Sequence, residues 1–234
     1  MLMKFRACLA VLLLMPALLS GCSTQTGRTV TSNVDFALNR QTVFYWDEWV
    51  RKGEPQIFIS PDRAPENPPT AVFMPLRMTQ QMEHANSIGY NLSRIVWQTW
   101  LQNNTLPTIE FAEGAPPYRR DLALAYGRQR KADLAIGGTI NYYKDGGTVS
   151  DSAVSIALEI YDVKSGNLLW SFGQAAVMQS AKVNDYLLFA TKTRVPTDPA
   201  MACLAAISTD LSRMVQAWAY DIKPGKEGGE PPAF

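Results

Sequence analysis

From Thr70 onward, apolar residues recur with two alternating periods, and the switching between them predicts a folded α/β domain. Thr70 to Leu76 sets Val72, Met74 and Leu76 on one side, which reads as a strand. Thr79 is placed to cap a helix running to about Gln102, with Glu83 in its first turn. Met82, Ala85, Ile88, Leu92, Ile95, Val96 and Thr99 form the apolar stripe of that helix. Pro107 to Ala112 is a second strand, and Arg119 to Lys131 a second helix with Leu122, Ala125 and Tyr126 inward. Three alternating runs follow, at 132–143, 152–163 and 168–179. Asp145-Gly146-Gly147 and Lys164-Ser165-Gly166-Asn167 separate them as turns. Asp198-Pro199 opens a final helix to about Tyr220, with Pro at its first position. The predicted order is β-α-β-α-β-β-β-α. It describes an α/β (α+β) fold, a mixed sheet with a C-terminal antiparallel β-meander and helices packed on one face. The outward positions of the meander are Ala, Ser, Thr and Glu, which suits a face that is wet or covered by a partner.

Before Thr70 the pattern lapses. Residues 35–69 form an aromatic and Pro-rich arm, with Phe36, Phe44, Tyr45, Trp46 and Trp49 followed by Pro55, Pro61, Pro65, Pro68 and Pro69. Trp46 and Trp49 share a face if residues 42–51 are helical, with Tyr45 beside them. Such residues combine apolar area with a polar tip and are candidate contacts to a membrane or a partner, the alternative being that they pack back on the domain. Residues 22–34 are rich in Ser, Thr, Gln, Gly and Asn and read as a flexible tether. The domain is expected over 70–221, and 222–234, rich in Gly, Pro and Glu, is an expected disordered tail.

Composition narrows the function classes. Lys and Arg number 22 against 21 Asp and Glu, a net charge of +1. A near-neutral chain has no electrostatic footprint for nucleic acid and no polybasic patch for anionic lipid. Catalysis lacks a constellation. His84 is the only histidine; it stands beside Glu83 with Ser87 at i+3, an arrangement common by chance on a helix surface. Cys203 lies in an apolar helical stretch and is expected to be buried. One histidine and so few thiols argue against a metal site, and neither Gly137-Gly138 nor Gly146-Gly147 leads into the Gly-Lys-Ser/Thr of a phosphate loop. The expectation is a protein without catalytic residues, cofactor or metal.

The N-terminus carries the most specific signal. Lys4 and Arg6 precede an apolar run from Ala7 to Leu19, too short for a bilayer-spanning helix of about 20 residues and ending in small residues as a cleaved export signal does. Leu19-Ser20-Gly21-Cys22 resembles the lipobox of bacterial lipoproteins. The resemblance implies a signal peptide over 1–21, cleavage before Cys22 and acylation of Cys22 with diacylglycerol and a palmitate-like chain. Ser23, in place of the Asp that favours inner-membrane retention, implies sorting to the outer membrane, facing the periplasm. Anchored chains contribute about 0.8 kcal/mol per buried CH2, so three acyl chains would hold the protein there essentially permanently.

Two further stretches resemble periplasmic lipoproteins related to CsgG, LpoB, the N-terminal domain of TolB and PelC. They are Lys131-Ala132-Asp133-Leu134-Ala135-Ile136-Gly137-Gly138-Thr139-Ile140, and the hairpin from Leu158 to Ser171 built on Asp162, Gly166 and Trp170. Asp-x-x-Ser-Gly is also general turn chemistry, in which the Asp accepts from the turn backbone and Gly takes positive φ. The resemblance implies assembly or adaptor work through protein–protein contacts in an envelope secretion, export or cell-wall machine, with a homo-oligomer or a larger envelope protein as partner. The alternative is a periplasmic transport-auxiliary or ligand-binding lipoprotein that takes a lipid or glycan.

Overall fold

The computed structural model describes residues 44–45, 50–147, 149–180, 182–186, 189–193 and 198–222, within a compact unit that spans Asp35–Phe234. Its strands are β1 (Phe44–Tyr45), β2 (Val50–Lys52), β3 (Gln56–Ile59), β4 (Thr70–Phe73), β5 (Arg77–Met78), β6 (Thr108–Phe111), β7 (Leu134–Lys144), β8 (Ser152–Asp162), β9 (Leu168–Met178), β10 (Lys182–Tyr186) and β11 (Phe189–Thr193). Its helices are α1 (Ala85–Gln102), α2 (Arg120–Arg130) and α3 (Pro199–Ala219).

Among the described residues, nine strands make one mixed sheet in the order β1-β2-β9-β8-β7-β4-β6, with β3 also on β9 and β5 also on β7; β10 and β11 form a separate ribbon. β4 lies parallel to β6 on one side and to β7 on the other. β7, β8 and β9 form the expected antiparallel meander. The fold class and element order therefore follow the periodicity of the sequence.

Alternation divides the core. Leu134 and Ile136 of β7 join Phe73, Ile156, Leu158, Ile160 and Phe172 on one face, where Leu92, Val96 and Trp100 of α1 and Leu204, Ile207, Leu211 and Val215 of α3 cover them. Cys203 is buried in this layer. Ala135 points the other way, with Val72, Tyr161 and Val163, beneath Ala123 and Leu124 of α2. The two long helices thus share a face as expected, while the short α2 lies on the opposite one. The topology explains this: β4–α1–β6 and β6–α2–β7 step across the sheet in opposite directions, and right-handed crossovers in opposite directions put their helices on opposite faces.

Two local expectations need correction. The first helix begins at Ala85, because Thr79 is drawn into the sheet: its N–H donates to the Ile140 carbonyl at 3.0 Å, and its hydroxyl donates to the same oxygen at 3.2 Å. His84 takes the N-cap position with φ 56°. The fully buried residues of α2 are Ala123, Leu124 and Gly127; of the expected inward set, Leu122 and Tyr126 are half-buried against the same cluster, and Ala125 is exposed. Gly127 belongs there because a Cβ on it would come within 2.5 Å of Val163 Cγ2. The arm ahead of Thr70 also contributes strands: β2 and β3 pair antiparallel with successive stretches of β9. Lys52 Nζ donates to Asp210 of α3 at 3.0 Å, and Trp218 Nε1 of α3 donates to the Arg63 carbonyl at 2.7 Å. These bonds hold the arm to the helical layer.

Candidate functional site

In open α/β sheets, crevices form outside the carboxyl ends of neighbouring strands whose connections leave toward opposite faces. β4 and β6 are such a pair, and the loops that follow them meet there. Beyond β4, Met74 N–H donates to the Ile136 carbonyl at 2.8 Å, and Pro75 accepts from Tyr118 N–H at 2.7 Å. Leu76 N–H donates to the buried Ser93 hydroxyl of α1 at 2.7 Å, which in turn donates to the Gly89 carbonyl at 2.5 Å. The close approach of α1 needs Gly89, where a Cβ would lie 3.1 Å from the Leu76 oxygen.

The Pro75–Tyr118 link separates two cavities. One, of about 430 Å3, is bounded by Leu76, the start of α1 (Asn86, Ser87, Tyr90, Asn91) and the loop residues Ala115 and Pro117; it carries no formal charge. The other, of about 360 Å3, lies on the opposite face, where the N-terminal end of α2 stops short of covering the sheet. Gly138, Thr139, Ala157, Glu159 and Ser171 belong to the sheet; Tyr118 and Arg119-Arg120-Asp121 bound it on the α2 side, and Arg77 of β5 also borders it.

Glu159 organises this second cavity. Its Oε2 accepts the Tyr118 hydroxyl at 2.5 Å and the Tyr161 hydroxyl at 2.9 Å. Burial, reinforced by the bond to Glu159, pushes the Tyr118 hydroxyl far above the ordinary tyrosine range. Burial likewise raises Tyr161. Both hydroxyls are therefore fixed as neutral donors to the carboxylate. Gly137 permits the arrangement, because a Cβ there would stand 2.0 Å from Tyr118 Cδ2. The Arg120 guanidinium lies 5.1 Å from the Tyr161 ring centroid and donates to the Gly166 carbonyl at 3.0 Å. Arg119 is paired with Asp121 at 2.7 Å.

The residues singled out by sequence fall elsewhere. Cys22, Ser23, Trp46 and Trp49 lie outside the described residues. Tyr45 is placed by its backbone alone, opposite Arg51 in the β1–β2 pair. Asp162 and Gly166 make the expected turn between β8 and β9: Asp162 Oδ2 accepts from Ser165 N–H at 2.7 Å, and Gly166 has φ 74°. Trp170 is core, packed edge-on against Phe172 and Trp218, and its buried Nε1 has no hydrogen-bond partner among the described residues. His84 is exposed and faces Glu83 at 3.4 Å. Among the described residues no group of His, Cys, Asp and Glu is arranged to hold a metal ion, and no helix is long and apolar enough to cross a membrane.

Sequence reasoning passed over Tyr118, Arg77, Arg119 and Arg120, and saw Glu159 only as an outward position. Two signals were available: a carboxylate, Glu159, inside an alternating strand that is uncharged up to its closing Asp162, and paired glycines inside a strand, which mark a close approach by another group.

No protein-family model matches this chain, and no curated protein matches it. Among solved structures it is similar to a PelC dodecamer from Paraburkholderia phytofirmans, at 15% identity over 71% of this chain and 96% of that one, with a TM-score of 0.45. It is also similar to the LpoB C-terminal domain from Salmonella enterica, at 14% identity over 48% and 85%, TM-score 0.27. A lipoprotein from Neisseria meningitidis is similar at 16% identity over 62% and 99%, TM-score 0.30. Similarity at this level says nothing of activity.

Proposed function

We propose that this chain is a lipid-anchored assembly protein of the outer membrane, facing the periplasm, and that it works through protein–protein contact with further copies of itself. The observation that carries the reading is the edge strand β3. Ile57, Phe58 and Ile59 are 52%, 60% and 42% exposed, three consecutive large apolar residues on a strand that, among the described residues, pairs with β9 alone. Monomeric proteins blunt such edges with charge, proline or cover, and an uncovered apolar run marks an interaction site.

A second copy suits this edge because the strand is apolar on both of its faces. Antiparallel pairing of β3 with its own copy joins two sheets into one and buries Phe58 from both sides. Four residues a side fall well short of the ~1,200 Å2 or more that stable interfaces bury, so the contact extends onto neighbouring surface. Acylation at Cys22, close in sequence to the arm, concentrates copies on one membrane face and favours a contact of small area.

The test is light scattering of residues 35–234 at rising concentration, with Phe58→Ser beside the parent. A discrete oligomer that Phe58→Ser dissociates supports the reading. A parent that stays monomeric at high concentration overturns self-assembly and redirects the search to a different envelope protein, by cross-linking in the intact envelope.

A further inference from the structure

We infer that the cavity over Glu159 is a binding site for an oxyanion, a phosphate or carboxylate carried by a small molecule. The two sides of its charge are engaged unequally. Arg77, Arg119 and Arg120 line it against Asp121 and Glu159, a formal surplus of one positive charge. Asp121 is held by Arg119 through two hydrogen bonds, at 3.2 and 2.7 Å, so that pair is closed on itself. Glu159 Oε2 is held by the two tyrosine hydroxyls. The cations that remain are Arg120, which spends one of its five N–H donors on the Gly166 carbonyl, and Arg77. Among the described residues, no hydrogen bond or ion pair engages the Arg77 guanidinium.

The surroundings suit the same ligand. Thr139 and Ser171 border the cavity alongside Gly138 and Ala157, small residues that leave room for the ligand, and the Thr139 hydroxyl donates to Asn141 Oδ1 at 2.8 Å. The first turn of α2 lies at the wall, so the positive end of its dipole adds to the field of the arginines. Planar guanidinium groups hold carboxylate and phosphate by two parallel N–H bonds. A volume near 360 Å3 takes such a group together with part of the molecule that bears it. The site is a polar niche on the face opposite α1 and α3.

The test is isothermal titration of the full chain in detergent, at constant ionic strength, with inorganic phosphate and with glucuronate in separate runs. Saturable binding of one probe is expected, and its identity names the ligand class: phosphate alone for a phosphate ester, glucuronate alone for an acidic sugar. Arg77→Gln, at an exposed position outside the core, should weaken that binding about tenfold or more by removing one charge-assisted contact, and Arg77→Lys should restore part of it. Arg120→Gln should weaken it as well. Absence of saturable binding by either probe overturns the inference, and so does binding that Arg77→Gln leaves unchanged.

Discussion

Gly137→Ala offers the sharpest test of how the polar face is built. The new methyl would lie 2.0 Å from Tyr118 Cδ2 and 2.4 Å from Cε2, contacts no side chain sustains. Tyr118 cannot shift slightly to relieve them. Its backbone N–H is fixed to the Pro75 carbonyl, its hydroxyl is fixed to Glu159 at 2.5 Å, and the residue is 6% exposed. The ring must leave. That removes a hydrogen bond to a charged group, about 1.5–3 kcal/mol, and most of the burial of a large side chain, about 1.5–3 kcal/mol. Replacing a strand glycine recovers about 0.5–1 kcal/mol. The expected net loss is about 3 kcal/mol, which at the usual urea dependence lowers the unfolding midpoint by roughly 1–3 M. Urea melts followed by far-UV circular dichroism measure it. The same substitution in a Tyr118→Ala background should cost under about 1 kcal/mol, because contacting residues are strongly non-additive. An equal cost in both backgrounds, or a wild-type cost below about 1 kcal/mol, refutes the stacking of Tyr118 on Gly137.

Three further outcomes are expected. Folding raises the Tyr118 and Tyr161 hydroxyls above their ordinary value of 10.0, so the folded state keeps protons that the unfolded chain releases. Their contribution is complete below pH 10 and declines as the pH rises beyond it; Tyr118→Phe should flatten that alkaline limb in melts between pH 8 and 11.5. Asp210→Ala removes the carboxylate that binds Lys52 at 2.9 Å and Gln174 Nε2 at 2.9 Å; a loss of about 1–3 kcal/mol is expected, with amide exchange accelerated in β2 ahead of the meander. Cys22→Ser should abolish incorporation of labelled palmitate, and retained label would disprove acylation at that residue.

Long periodic segments were legible because burial on one side writes itself into spacing. The meander strands and α3 fall within two residues of their expected bounds, and the Asp162–Gly166 turn follows from its local chemistry alone. What escaped was set by distant partners. β3 lies between Pro55 and Pro61 and shows no apolar–polar alternation, because its partner β9 lies over 100 residues further on and its own apolar side chains remain exposed. Thr79 has the chemistry of a helix cap but is claimed by the edge of β7. The cavity over Glu159 draws on β5, the start of α2, β7, β8 and β9. No window of sequence contains it, and only its two odd notes, Glu159 and Gly137-Gly138, show in the chain.

The pairing of β2 and β3 with β9 also bears on the order of folding. These residues leave the ribosome early, yet Lys52 meets Ala176 and Ile57 meets Phe172 only after more than 100 further residues have been made. Closing so long a loop is slow relative to local hairpin formation, so the meander assembles first and presents β9 as an open border until the arm returns to it. During that interval the nascent sheet ends in an unsatisfied strand. A holding factor that shields β9 would then act ahead of the final docking step, and trimming the arm would yield a domain that collapses normally but associates through the wrong border.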